Sequence, residues 1–216
     1  MDINVILFFG HPLSGKGTQA KRHANVHLST GTQARLKCEG DEHFAQAHGP
    51  TMARGGYLPH SVVMGLVREF VSDTEIFPGS TVCLDGIPRD YDQGRELNSF
   101  IAQPGRAMGF DIGITLEEAL YRAEYRAKIE GRLDDFDPET VKARWHAWAT
   151  KRRRTLSVIK QLGVKIYEID GMRSVDEVSG EISGRITTFF RRQKQDDLSS
   201  GGKTKTRRMP AREHRH

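Results

Sequence analysis

The chain has 216 residues, of which 37% are hydrophobic and 28% are charged, and its formal net charge is +5 at pH 7. This length predicts one domain with small insertions and a core of moderate size. No run approaches the ~18 apolar residues that a membrane span requires, and we expect no signal peptide ahead of the first apolar run. The two cysteines, Cys38 and Cys83, form neither a disulfide framework nor a metal pair, so we expect a reducing, cytoplasmic setting.

Apolar runs of strand length alternate with segments of helical spacing. The apolar runs are residues 3–9, a weaker run at 25–29, then 81–85, 109–115 and 164–170. Helical spacing is found over residues 61–71, 116–128 and 138–162. Continuous apolar runs are typical of strands that are buried on both faces of a parallel sheet. The alternation therefore predicts an α/β fold with a mainly parallel five-stranded sheet.

A glycine-framed loop, GHPLSGKGT, follows the first apolar run. Gly10, Gly15 and Lys16 have the G-x-x-x-x-G-K spacing of phosphate-binding loops, and TQAKRHA can open a helix after them. Backbone N–H groups of such a loop and the positive end of the helix surround a polyphosphate, while the lysine adds a full charge. This position between strand and helix favours a nucleotide phosphate site over an ordinary turn. Gly17 stands where the common form has Ser or Thr.

The form Gly-Lys-Gly-Thr resembles the phosphate loop of adenylate kinases and related nucleoside monophosphate kinases. Four further stretches are similar to that family, namely HLSTGTQAR (27–35), RGGYLPHSVV (54–63), LDGIPRDYDQ (84–93) and IDGMRSVDEV (169–178). The resemblance covers about residues 4 to 190. It implies a three-layer P-loop kinase domain over residues 1–190, with an acceptor-binding insertion at about 30–60 and a short lid at about 126–137.

The resemblance implies two nucleotide sites. The ATP-binding residues that it implies are Gly10, Ser14, Gly15, Lys16, Gly17, Thr18, Arg122 and Gly171. The AMP-binding residues are Thr30, Gly31, Arg35, Tyr57, Leu58, Gly86, Arg89 and Gln93. The Gln93 amide can pair with an adenine edge, and both Thr30 and Gln93 favour AMP over UMP or CMP. Asp85, at a strand's carboxyl end, can hold Mg²⁺ through water.

Cations form the catalytic set that the resemblance implies, which is Lys16, Arg89, Arg126, Arg132 and Arg144. The implied reaction is reversible transfer of the terminal phosphoryl group of MgATP to AMP, giving two ADP. The attacking phosphate oxygen of AMP is ionised at pH 7, so no general base is needed, whereas cations placed in advance reduce the repulsion between two polyanions. The lid has no cysteines, so no structural zinc is expected in it.

Among the departures from the family pattern, two bear on activity. Leu13 stands where glycine is usual, and a positive φ there would cost about 1 kcal/mol or more of strain. Thr32 replaces an aspartate that helps to organise water around Mg²⁺ in these enzymes. Two alternatives therefore stay open: a kinase for another nucleoside monophosphate, and a nucleotide-binding module of the same fold with little catalysis.

The segment 191–216 carries the excess positive charge. It contains nine Lys/Arg and three Asp/Glu, which leaves 24 Lys/Arg against 25 Asp/Glu in the rest of the chain. Its Ser, Gly and charged residues predict a disordered tail. A solvated extension without a partner and a contact with nucleic acid or protein both fit this composition. For the domain we expect a monomer that binds ATP and AMP and has no membrane contact.

Overall fold

Five strands form one parallel sheet in the computed structural model, which describes residues 3–97, 106–130 and 137–200, without the side chains of residues 130 and 196–200. The strands are β1 (Asn4–Gly10), β2 (Val26–Ser29), β3 (Thr81–Asp85), β4 (Ala107–Gly113) and β5 (Lys165–Asp170), in the order β2-β3-β1-β4-β5. All four pairings between neighbours are parallel. The predicted α/β fold is confirmed, and β4 begins two residues earlier than the apolar pattern indicated.

Helices connect the strands and cover both faces of the sheet. Those in the described residues are α1 (Lys16–His23), α2 (Thr30–Gly40), α3 (Glu42–Ala53), α4 (His60–Asp73), α5 (Tyr91–Glu96), α6 (Leu116–Glu130), α7 (Pro138–Gln161) and α8 (Val175–Ser200). The residues at the start of α7 explain why a helix begins there. The Asp137 side chain accepts from the N–H groups of Glu139 and Thr140, and Pro138 occupies the first turn.

The core has one apolar layer on each face of the sheet. On one face, Leu7 and Phe9 of β1 pack with Val63 of α4 and Trp148 of α7. On the other face, Phe8 packs in a cluster that includes Ile182 of α8. Alternate residues of β1 therefore enter different layers, and this explains why the strand is apolar throughout.

Residues 30–60, where the acceptor insertion is expected, form α2, α3 and the segment that leads to α4, and we call them the insertion; their acceptor role remains a prediction. The expected lid at 126–137 begins in the last turn of α6, and half of it, residues 131–136 with Arg132, lies outside the described residues. Helix α8 continues to Ser200 and so passes the point, residue 191, where the tail was expected to begin. No helix within the described ranges is long and apolar enough to cross a membrane.

Candidate active site

A cleft of about 1270 Å³ opens at the carboxyl ends of the strands. Parallel α/β sheets bind ligands at this edge because the loops after the strands and the helix N-termini converge there. The expected site residues that line the cleft are Gly10, Gly15, Lys16, Gly17, Thr18, Thr30, Gly31, Arg35, Tyr57, Leu58, Asp85, Gly86, Arg89, Arg122, Arg126 and Arg144. The fold thus gathers residues from the phosphate loop, the insertion and helices α6 and α7 around one cavity.

The phosphate loop depends on glycine at both of its ends. Gly10 has a φ of 137°, and a Cβ there would lie 2.2 Å from the backbone oxygen of Ile112. Gly15 has a φ of 90° and caps α1 without a side-chain hydrogen bond. Only glycine adopts such backbone angles at low cost. The first turn of α1 therefore follows the loop directly, as phosphate binding at a helix N-terminus requires.

Leu13 has a φ of 66°, so the strain that a positive φ would cause at this position is present. Its side chain packs against an apolar cluster that includes Ala119 of α6 and Val141 of α7. Its carbonyl accepts a hydrogen bond of 3.2 Å from Nη1 of Arg122. Packing and this hydrogen bond offset the strain of about 1 kcal/mol.

His11 joins the same loop to α7. Its imidazole ring stacks on Trp145, with 4.6 Å between the ring centroids and 18° between the ring planes. Burial and the nearby charges of Lys16 and Arg152 lower the pKa of His11 from 6.5 to about 4, so the ring is neutral at pH 7. The loop and α7 therefore meet through an uncharged aromatic contact.

Lys16 points back into the loop. Its Nζ donates to the carbonyl oxygens of Gly10 (3.1 Å) and His11 (2.6 Å) and to Oγ of Ser14 (3.4 Å). Burial is the main cause that lowers the pKa of Lys16 from 10.5 to about 8; Asp85 opposes this effect, and neighbouring arginines add to it. A phosphate bound in the loop would supply a negatively charged partner that stabilises this ammonium.

Asp85 ends β3 beneath the loop, with a side chain that is 13% exposed. A Cβ on Gly17 would lie 3.5 Å from Oδ2 of Asp85. Burial by itself would raise the pKa of Asp85, but contact with His27 and the charge of Lys16 outweigh it and hold the pKa below 3.8. Within the described ranges no cluster of three or more His, Cys, Asp or Glu side chains could hold a metal. One ionised carboxylate beside a phosphate loop fits Mg²⁺, which keeps most of its waters and takes phosphate oxygens as ligands.

Arg89 is held in place by three hydrogen bonds. Its Nε donates to the carbonyl of Gly86 at 2.6 Å, and its backbone N–H donates to Oε1 of Gln93 at 2.8 Å. The Thr155 hydroxyl of α7 donates to its carbonyl at 2.6 Å. The donors left at the end of the guanidinium, Nη1 and Nη2, can form a fork for phosphate oxygens.

Of the expected site residues that the structure describes, three lie outside the cleft lining. Ser14 is buried beneath the loop, and Gln93 is 4% exposed, with Oε1 bound to the Arg89 backbone. Gly171 lies behind Met172, which does line the cleft. The carbonyl of Gly171 accepts from Nη2 of Arg122 at 2.7 Å. Base recognition by Gln93 remains a prediction.

The arginines of α6 and α7 tie the walls of the cleft together. Arg122 links the carbonyls of Leu13 and Gly171 and pairs with Glu118 at 2.6 Å. Arg144 lies so close to the insertion that a Cβ on Gly55 would meet its side chain at 2.6 Å. Helix α7 therefore contacts the insertion directly.

One face of α7 contains site residues that the motifs did not identify. Trp148 lines the cleft, Thr155 bonds to Arg89, and Nζ of Lys151 lies 4.5 Å from the ring centroid of Tyr57. Counted from Arg144, these residues recur at four, seven and eleven positions, which places them on one side of a helix. That spacing is visible in the sequence.

Comparison with known proteins agrees with this geometry. The family model described as adenylate kinase matches residues 8–164. The chain is 32% identical to an adenylate kinase of Phenylobacterium zucineum over 191 residues, which cover 86% of this chain and 98% of the relative. It is 31% identical to an adenylate kinase of Thermus thermophilus over 196 residues, covering 86% of this chain and 99% of the relative. The chain therefore belongs to the adenylate kinase family.

Proposed function

We propose that the protein reversibly transfers the terminal phosphoryl group of MgATP to AMP, giving two ADP. Membership of the adenylate kinase family supports this reaction. The observation that carries the proposal is that Lys16 and Arg89, from the two phosphate-binding motifs, line one cleft. Phosphoryl transfer between two bound nucleotides requires such convergence, because the attacking and leaving oxygens must lie in line.

On the donor side, the phosphate loop and Lys16 would bind the ATP phosphates. The N–H groups at the start of α1 supply neutral donors, and the Lys16 ammonium supplies a charge that phosphate stabilises. Arg122 and Gly171 connect the loop to the wall where we place the donor base. Mg²⁺ would be held through water by Asp85 and would neutralise charge on the donor phosphates.

On the acceptor side, Arg35 and Arg89 would bind the AMP phosphate. Both line the cleft, and Arg89 has its backbone and Nε already fixed by neighbours. A guanidinium that is oriented before binding loses little entropy when it pairs with phosphate. Arg126 and Arg144 would then stabilise the charge on the transferring group, since they project into the same cavity from α6 and α7.

The first test is an acceptor panel. The purified protein is mixed with MgATP and each of AMP, CMP, UMP, GMP and dAMP, and formation of the diphosphate is followed. We expect ADP with AMP at a rate far above those for the pyrimidine acceptors. Faster turnover with another monophosphate would overturn the acceptor assignment, and ATP binding without any turnover would overturn the reaction.

Variants connect the activity to the cleft. Lys16→Ala and Arg89→Ala should each lower turnover by orders of magnitude while the circular dichroism spectrum is unchanged. Arg153→Ala is the matched control, because it also removes one positive charge, but from an exposed side chain that does not line the cleft. We further propose a cytoplasmic location, which the free thiols of Cys38 and Cys83 support.

A further inference from the structure

Three separate parts of the chain meet at the ring of Tyr57. Tyr57 belongs to the insertion, Arg89 follows β3, and Lys151 lies on α7. Cζ of Arg89 lies over the ring at 4.8 Å from its centroid, and Nζ of Lys151 lies over it at 4.5 Å. Both distances are within the ~6 Å at which a cation is attracted by the face of an aromatic ring.

Two positively charged side chains therefore lie against the same aromatic ring. An ammonium and a guanidinium that share one ring repel each other, so their attraction to the ring must outweigh that repulsion. The contacts around them keep the geometry in place, because Thr155 lies four residues after Lys151 and bonds to the Arg89 carbonyl. Gly55, two residues before Tyr57, packs on Arg144 of the same helix.

We propose that Tyr57 and Lys151 are positioning residues for Arg89 in the acceptor half of the site. The Tyr57 ring limits the directions available to the Arg89 guanidinium, and Lys151 holds the ring from α7. Because Nε of Arg89 is fixed by Gly86, the ring contact determines how Nη1 and Nη2 face the cleft. The ring takes this place with Gly55, two residues before it, against Arg144 of α7. This inference rests on the proposed function of Arg89 as a ligand of the acceptor phosphate.

The test compares Michaelis constants for AMP and ATP. Tyr57→Leu should raise KM for AMP about tenfold and leave KM for ATP within twofold, since a cation–π contact corresponds to roughly this factor. Tyr57→Phe keeps the ring and should restore most of the affinity for AMP that Tyr57→Leu loses. A loss in Tyr57→Phe equal to that in Tyr57→Leu would assign the effect to the hydroxyl group and overturn the proposal.

Lys151→Met keeps most of the aliphatic stem and removes the charge. We expect KM for AMP to rise about threefold, and Lys151→Arg to restore it. Arg153→Met is the matched control, because it removes one charge from the opposite side of α7, about 200° around the helix, and should change neither constant. Equal effects of Lys151→Met and Arg153→Met would mean that only the overall charge matters and would overturn the role of Lys151.

The double variant decides whether Lys151 acts through the ring. In Tyr57→Leu/Lys151→Met we expect the tenfold loss of Tyr57→Leu alone, because Lys151 then has no ring to hold. A loss of about thirtyfold would show independent effects and would overturn the coupling.

A double-mutant cycle on urea unfolding of the ligand-free protein needs no turnover. If the effects of the two substitutions on the free energy of unfolding are not additive, the Tyr57–Lys151 contact is supported even if the acceptor panel overturned the proposed function. Additive effects would refute the contact.

Discussion

Lys16, for which we propose phosphate binding, also carries a cost to folding. The pKa of its buried ammonium falls from 10.5 to about 8 in the ligand-free protein. At roughly 1.4 kcal/mol per pKa unit, this fall corresponds to about 3 kcal/mol of unfavourable free energy when the lysine is charged. Lys16→Met removes the charge and retains most of the side-chain volume, so a comparison of the two proteins isolates this cost.

The pH dependence follows from proton linkage. Because the pKa is lower in the folded state, the unfolded chain binds more protons between pH 8 and pH 10.5, and stability rises with pH in that window. Below pH 8 both states are protonated and the full cost is present. We expect the unfolding free energy of the wild type, relative to Lys16→Met, to rise by about 2.5 kcal/mol between pH 7 and pH 10.

The assay is urea unfolding of both proteins at four pH values from 7 to 10. Other titrating groups are common to the two proteins, so they cancel in the difference. Saturating ADP provides a control, because phosphate charge raises the pKa of Lys16 and should suppress the trend. A difference that stays constant within about 0.5 kcal/mol from pH 7 to pH 10 would refute the argument.

Three further substitutions test the structure around the site. In a denaturant titration, Leu13→Ala should lower the unfolding free energy by about 1 kcal/mol more than Leu13→Gly does. Both variants lose the packing of leucine, but alanine keeps the strain of a positive φ. The reverse order would contradict the left-handed backbone. Arg152→Met should destabilise the protein by about 3 kcal/mol at pH 7, since Asp111, with a side chain 1% exposed, loses its charged partner. That loss should shrink in unfolding experiments toward pH 5, because burial raises the pKa of Asp111 and protonation removes the charge. Gly171→Ala should raise KM for ATP at least fivefold and leave KM for AMP unchanged. The added Cβ would lie 2.8 Å from the oxygen of Gly113 and would shift the loop that is bonded to Arg122. If KM for ATP does not change, this loop is not part of the donor site.

Local patterns in the sequence were sufficient for the sheet and the phosphate loop. The strands β1, β3 and β4 are largely buried, and such strands are apolar along most of their length. The apolar runs also predicted the two edge strands, β2 and β5, which are more exposed. The family's glycine at the position of Leu13 raised the question of a positive φ there, and the structure answered it with a φ of 66°. The end of β4 was less accurate, because the apolar run continues through Ile114, which packs in a separate small cluster beyond the strand.

Contacts between distant segments were decided by the tertiary structure. The motif around Arg89 indicated a phosphate ligand, but not that Gln93 would bond to its backbone or that Thr155 would approach from α7. A run of basic residues such as 151–154 favours a solvated helix face, and only the packing of α7 near the insertion brings Lys151 to Tyr57. The physical reason is that periodicity specifies which residues share a face of a helix, whereas the partner of that face depends on how helices pack across the whole sheet.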